Sequence, residues 1–302
     1  MAAKWIDLLV PTADELRAKA PRDLEETAAE LLLASPEHDD EPRPTLQSHG
    51  DYVFGIFLVA RAADAENAVY YQSIGVVITR DTLLTVRKTP AGRDPYPIEQ
   101  VQATVRHTDS AGMIAYRIVD DIAEGYLDLV DDVDAEIDEL EDLVETQSAA
   151  ETRDRISELR HDLLHIRRTL APMRDAIRRV VDNVVEVDKG KDVFPHDVEV
   201  AFNGAYDKLL RALDGLELSR DLLSSVRDYQ QAKISIDQNE VTKRLTVIAS
   251  IILLPTFIVG LYGQNFVHMP ELHWRYGYAY SWALIISTTV LQLWWFRRKD
   301  WL

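Results

Sequence analysis

Two stretches near the end of the chain carry no formally charged side chain: residues 245–267 and 276–296. Each is long enough to cross a bilayer as a helix, which takes about 20 predominantly apolar residues. The connection between them, residues 263–275, is too short to hold a domain, and two long apolar runs this close together are rare in soluble cores. The end of the chain therefore reads as a membrane hairpin. Lys243 and Arg244 precede the first run, Arg297, Arg298 and Lys299 follow the second, and the connection holds only Arg275. Lys and Arg gather on the cytoplasmic side, so the expectation is a multi-pass protein of the plasma (inner) membrane with both termini cytoplasmic. Residues 1–10 contain Lys4 and Asp7 and no apolar core of signal-peptide length, so the roughly 240 residues before the first span are expected to stay in the cytosol.

The balance of charge excludes other classes. Of 302 residues, 51 are acidic and 33 basic, a net charge of -18, which argues against nucleic acid as a partner, since phosphate contact needs a basic face. The absence of cysteine excludes disulfides, Cys-ligated zinc, iron–sulfur clusters and a thiol nucleophile.

The polar part changes character along its length. Residues 12–33 have helical spacing, with Leu24, Leu31 and Leu32 on one face and Pro21 dividing them in a first helical turn. Residues 36–44 are polar and proline-rich and read as a loop. Residues 52–59, 69–79 and 83–87 are rich in β-branched and aromatic side chains and predict a small sheet. Residues 91–97 form a loop, and from Ile98 the pattern is helical. Residues 114–144 form one long helix; from 118 to 145 it has many Asp and Glu and no Lys or Arg, a field that concentrates divalent cations even as an ordinary solvated face. Residues 156–185 form a second, with Arg160, Arg167, Arg168, Arg174, Arg178 and Arg179 placed to pair electrostatically with the acidic helix in an antiparallel hairpin.

The third helix starts at Pro195. Phe202, Tyr206, Leu209, Leu213 and Leu216 recur at steps of four and three, a bundle seam. Gly204 and Gly215 weaken it without ending it, and no stop signal separates it from the first apolar run. One helix of about 100 Å is expected over residues 197–262 at 1.5 Å per residue, linking cytosol and bilayer. Asn239, Thr242, Leu245 or Thr246, Ala249, Leu253, Thr256, Gly260 and Gly263 recur every three to four residues and form one uncharged stripe. Small residues in a span also serve to pack helices; with two spans per chain, a pore would need several copies around an axis.

At the end of that helix stand Tyr262-Gly263-Gln264-Asn265-Phe266 and Met269-Pro270-Glu271-Leu272. This resembles the CorA family of divalent-cation transporters, with its Tyr-Gly-Met-Asn signature followed by Met-Pro-Glu-Leu. Residues 239–246 with Pro255-Thr256-Phe257-Ile258 are similar to the family's pore helix, and the resemblance runs in order from about residue 44, through Gly50-Asp51-Tyr52-Val53-Phe54 and the two long helices. It implies a funnel-shaped homopentamer: an α+β cytosolic part, a small sheet with flanking helices (1–110), an acidic/basic helical hairpin (111–195), a stalk continuing into the first transmembrane helix (196–262), an outer loop (263–276), and a second transmembrane helix with a basic tail (277–302). The resemblance places Gly263, Gln264 and Asn265 at a selectivity mouth. Asn265 and Gly263 would meet a hydrated ion through its water, and His268, Glu271 and His273 lie in the outer loop. Lys243, Arg297, Arg298 and Lys299 would form a basic ring at the cytosolic mouth. Two positions depart from the family pattern. Gln264 replaces the signature methionine. Gly204 in Phe202-Asn203-Gly204-Ala205-Tyr206-Asp207-Lys208 stands where the family has an aspartate of its regulatory metal site.

The expected activity is channel-like passage of divalent cations, Mg2+ before Co2+ or Ni2+, driven by membrane potential, with the lipid bilayer and other copies of the chain as partners. No resident cofactor is expected. Magnesium holds its water tightly, which suits a pore of uncharged acceptors, with Leu245 and Leu253 as apolar constrictions that gate by dewetting. The alternatives are zinc transport of the ZntB type, possible proton coupling included, favoured by His268 and His273, and a membrane-anchored scaffold without transport. A hydrolase is a weaker reading. His161-Asp162-Leu163-Leu164-His165 approaches the His-Glu-x-x-His zinc pattern, but Arg160, Arg167 and Arg168 crowd it and no third ligand is evident; no enzyme is expected.

Overall fold

The computed structural model describes residues 3–34, 42–63, 68–185, 193–265, 269 and 273–301. It divides into two compact units, Met1–Arg227 and Asp228–Leu302, the division falling inside one long helix.

The first unit is built on five strands: β1 (Lys4–Leu9), β2 (Thr45–His49), β3 (Tyr52–Ala63), β4 (Ala68–Ile78) and β5 (Thr82–Lys88). Their spatial order is β1-β5-β4-β3-β2. Strands β2 to β5 form an antiparallel meander, and β1 joins the β5 edge in parallel, with Lys4 opposite Thr82 and Leu9 opposite Arg87. The sequence reading placed the three central strands and missed β1 and β2. Both are short edge strands with charged or polar residues among the apolar ones, and β1 finds its partner more than seventy positions away. A partly buried polar network fixes that pairing. Arg87 donates to both Asp7 carboxylate oxygens at 2.6–3.1 Å, Thr85 Oγ1 donates to Asp7 at 2.7 Å, and Trp5 Nε1 donates to Thr85 Oγ1 at 3.1 Å.

Both faces of the sheet are covered, which explains its nearly unbroken apolar runs. Tyr52, Phe54, Ile56, Val77, Leu84 and Val86 pack on Leu16, Ala28 and Leu32 from α1 (Ala13–Lys19) and α2 (Glu26–Leu33). The alternate residues, including Val53, Phe57, Ile74, Val76 and Ile78, belong to a larger core shared with the long helices. Pro21 lies in the gap between α1 and α2 and in neither first turn: a Thr12–Glu15 capping box starts α1, and α2 begins only at Glu26. Of the expected 36–44 loop, residues 42–44 are irregular and the rest lie outside the described residues.

Helix α3 (Ile98–Thr104) leads to α4 (Ala111–Leu143), capped by Ser110, whose Oγ accepts from Met113 N at 3.2 Å. Helix α5 runs Ala149–Val181 and not 156–185. A capping box of Ser148 and Glu151 starts it two turns earlier, and Asn183 in left-handed backbone (φ 56) ends it. The α4 and α5 helices pack through Ile137, Leu140, Ile156 and Leu159. An electrostatic hairpin is not what holds them. Arg155 does reach Glu136, but Arg167 pairs with Glu217 at 2.7 Å, Arg174 with Asp175 and Arg178 with Asp182. Long flexible arginines take whichever carboxylate is within reach, and surface pairs contribute little.

Helix α6 (His196–Tyr262) is continuous over 67 residues, as expected. The Pro195 carbonyl accepts from Val198 N and Glu199 N at 2.8 and 3.1 Å, so the proline opens the helix where its missing N–H costs nothing. Phe202, Leu209, Leu213 and Leu216 are buried, and the seam continues through Leu223 and Val226. Gly215 has a steric purpose: a Cβ there would lie 2.8 Å from Val130 Cγ1 of α4.

The second unit contains the last part of α6 and helix α7 (Gly277–Arg298). Among the described residues α6 is the one helix long and apolar enough to cross a membrane by length and composition. Helix α7 has the length, about 33 Å at 1.5 Å per residue, but tyrosines, serines and threonines dilute its apolar character.

Candidate ion pathway

Within the second unit, α6 presents distinct faces. Val247 and Ile258 are buried, with Ser250, Ile251 and Leu254 half-buried beside them. On this side α7 packs: Gln292 Nε2 donates to Ser250 O at 3.3 Å. The stripe read from the sequence lies roughly opposite on the helix wheel. Asn239, Thr242, Leu245, Thr246, Ala249, Leu253, Thr256 and Gly260 are all exposed, Leu253 at 70%. A third face, Val241, Ile248, Ile252 and Val259, is large, apolar and exposed; the sequence reading did not name it, although the same periodicity carries it.

The stripe's threonines have a definite polarity. Thr242 Oγ1 donates to Gln238 O at 2.8 Å, Thr246 Oγ1 to Thr242 O at 2.8 Å, and Thr256 Oγ1 to Ile252 O at 2.7 Å. Each hydroxyl proton is thus held by the helix's own backbone, which leaves the oxygen's lone pairs as acceptors. Acceptors are what the water shell of a cation requires. No spacing rule in the sequence shows this directional choice.

At the far end of α6, Gly263 N donates to Val259 O at 2.9 Å and closes the last turn. A Cβ at Gly263 would lie 3.1 Å from that carbonyl, whereas one at Gly260 would meet nothing within 4 Å. Gln264 and Asn265 follow, both exposed. His273 is exposed, its Nδ1 3.4 Å from Met269 O. His268 and Glu271 lie outside the described residues. At the opposite end of the apolar run, Lys243 is exposed, Arg244 pairs with Glu240 at 3.0 Å, and Arg298 lies over the Trp294 ring at 5.5 Å.

The other candidate residues lie in the first unit. His161 and His165 have ring centroids 4.3 Å apart. Burial, with His161 and Arg168, lowers the His165 pKa, and burial raises that of Asp162. Among the described residues no group of three His, Asp or Glu side chains is placed to hold a metal, so neither the histidine pair nor the acidic face of α4 forms a compact site. At Gly204 a Cβ would meet nothing within 4 Å. One turn on, Lys208 Nζ lies 2.8 Å from both Asp120 Oδ1 and Glu124 Oε2, a bridge the sequence reading missed. Partial burial pulls the Lys208 pKa down, but the bonds to the two carboxylates raise it overall.

The chain is similar to known proteins over most of its length. The cobalt/magnesium transport protein CorA of Thermotoga maritima is 27% identical over 266 residues, covering 86% of this chain and 73% of that protein. The protein of the same name from Methanocaldococcus jannaschii is 24% identical over 99% of this chain and 91% of its own length. The solved structure of the CorA magnesium transporter from M. jannaschii superposes with a TM-score of 0.80 at 22% identity, covering 99% of this chain and 91% of that one, and shares the α+β part, the long helix and the C-terminal helix. The family described as CorA-like Mg2+ transporter protein matches residues 2–298, and the chain belongs to that family of membrane transporters, which are not enzymes.

Proposed function

We propose that several copies of this chain, five on the family's pattern, surround an axis lined by the α6 stripe and pass hydrated Mg2+ inward across the plasma membrane. The observation that carries this reading is the stripe itself: uncharged, exposed, on the side of α6 away from α7, with its threonine hydroxyl protons held by the helix backbone so that the oxygens are left as acceptors. Asn265 and the Gly263 carbonyl supply acceptors at the outer mouth, Thr256 supplies them one layer deeper, and Leu253 and Leu245 form the dry constrictions. An ion that keeps its water needs acceptors and no carboxylate ligands, so the lining selects for a hydrated ion. A divalent cation moving inward across 100 mV gains about 4.6 kcal/mol, twice the single-charge value, so the step needs no ATP. Helix α7 stands as the second span, outside α6. Its exposed aromatics fall in two belts, Tyr276, Tyr278, Tyr280 and Trp282 at one end and Trp294 and Trp295 at the other. Such belts mark the two water interfaces of a membrane helix. The excess of Lys and Arg at the Lys243 and Lys299 end supports a cytoplasmic position for that end and for both termini. Co2+ and Ni2+, octahedral ions of similar size, are expected to share the path.

The experiment is divalent flux into liposomes. Asn265→Ala should abolish or strongly reduce Mg2+ entry while the oligomer stays intact on size exclusion. Wild-type flux and ion preference in that variant would remove Asn265 from the pathway.

A further inference from the structure

The end of the chain closes a cleft against α6. After α7, Asp300 takes left-handed backbone (φ 53), Trp301 N donates to Phe296 O at 3.1 Å, and the Trp301 ring stacks on Phe296 at 5.9 Å and 16°. Trp301 is thereby held as one wall of a cleft of about 790 Å³ whose other wall is α6 from Ile236 to Ile248. The lining is amphipathic. Lys243, Arg244, Asn239, Glu240 and Asp300 form its polar part, and Val247, Ile248 and Trp301 its principal apolar part. The change falls where charges stop along α6: Arg244 is the last charged residue before the uncharged run that begins at Leu245. With α6 read as the first span, the cleft falls at the level where a bilayer changes from headgroup to hydrocarbon.

The charge of this end of the unit is positive in a chain that is strongly acidic overall. Glu240 is held by Arg244 at 3.0 Å, Lys243 has no carboxylate within ion-pair distance among the described residues, and Arg297, Arg298 and Lys299 lie on the segment leading to Trp301. Asp300 is the one acid in the lining that opposes an anion without an ion-pair partner of its own among the described residues. A free lysine beside an apolar wall at membrane depth fits an anion with a hydrocarbon body. We propose that this cleft binds an anionic phospholipid, its phosphate on Lys243 and its first acyl methylenes on Ile248 and Trp301. A phosphate there neutralises part of the basic ring next to Asn239 and Thr242. Anionic lipid then lowers the barrier a cation meets at the cytosolic end of the stripe. That consequence rests on the proposed transport; the binding does not.

The test is lipid retention by the full chain, measured by native mass spectrometry from phosphatidylcholine-containing micelles titrated with phosphatidylglycerol. Binding should be saturable. Each basic charge near an anionic surface contributes about a fivefold affinity factor, so Lys243→Gln should weaken binding by about that factor and Asp300→Asn should strengthen it by about as much. Trp301→Ala should weaken binding without changing charge, and Arg275→Gln, in the connection at the other end of α7, should leave it unchanged. Glycerol 3-phosphate should not displace the lipid. Equal retention by wild type and Lys243→Gln, no preference over phosphatidylcholine, or displacement by glycerol 3-phosphate would each overturn the proposal, the last by showing a soluble-phosphate site. The readout needs no flux, so an inactive transporter leaves it decisive.

Discussion

Gly204 and Gly215 stand three turns apart on α6, and the same substitution should act oppositely at the two. At either site Gly→Ala recovers about 1 kcal/mol of helix propensity. At Gly204 the new methyl meets nothing within 4 Å, so the gain stands alone. At Gly215 it would lie 2.8 Å from Val130 Cγ1. Val130 is buried on α4, and a β-branched side chain in a helix has one strongly preferred rotamer, so it cannot swing aside at low cost. Overpacking of this kind costs about 1–3 kcal/mol. The net expectation is stabilisation by about 1 kcal/mol for Gly204→Ala and a change between about zero and 2 kcal/mol of destabilisation for Gly215→Ala. A kilocalorie moves the melting point of a unit this size by about 2–4 °C. Thermal unfolding of the full chain in detergent, followed by circular dichroism, reads the difference. A Gly215→Ala variant as stable as Gly204→Ala would refute the claim that α4 and α6 approach too closely for a side chain.

Gln264→Met restores a thioether where the side chain now offers amide donors and acceptors, and should shift the ratio of Mg2+ to Zn2+ flux; an unchanged ratio makes the position structural only. On the resemblance at residues 202–208, Gly204 stands where a regulatory carboxylate is expected, so we propose that flux into liposomes preloaded with millimolar Mg2+ is inhibited only shallowly and that Gly204→Asp, which fits sterically, restores part of the response; steep, saturable inhibition of the unmodified chain contradicts this. Lys208 has a folded-state pKa raised overall by Asp120 and Glu124 against the effect of burial, so its contribution to stability is full below the unfolded value of about 10.4 and is lost as pH rises through the folded one. Lys208→Met should therefore lower the melting point at neutral pH and flatten its decline above about pH 10, and identical profiles for the two proteins would show that the bridge adds nothing.

The long helix and its stripe were legible in the sequence because both depend on local rules. Periodicity, a proline at the start and the lack of any stop signal define a helix without reference to the rest of the chain, and an apolar run of bilayer length is visible in composition alone. The Tyr262-Gly263-Gln264-Asn265 motif and the Lys and Arg flanking the apolar runs are likewise matters of residue type and order. What only the tertiary structure decided depends on partners distant in sequence. Strand β1 exists because Asp7 meets Arg87 and Thr85 across nearly eighty residues, and nothing in its own six residues announces that. Arg167, Arg174 and Arg178 of α5 pair with Glu217, Asp175 and Asp182 and not with the acidic helix, because sequence supplies charge but not reach. Lys208 bridges two carboxylates of α4 only because α4 and α6 pack side by side, and Gly215 is required only because Val130 faces it. The threonine hydroxyls of the stripe belong to neither class: their spacing is local, but the direction of each proton, which makes the oxygen an acceptor, appears only once the backbone carbonyl four residues earlier is in place.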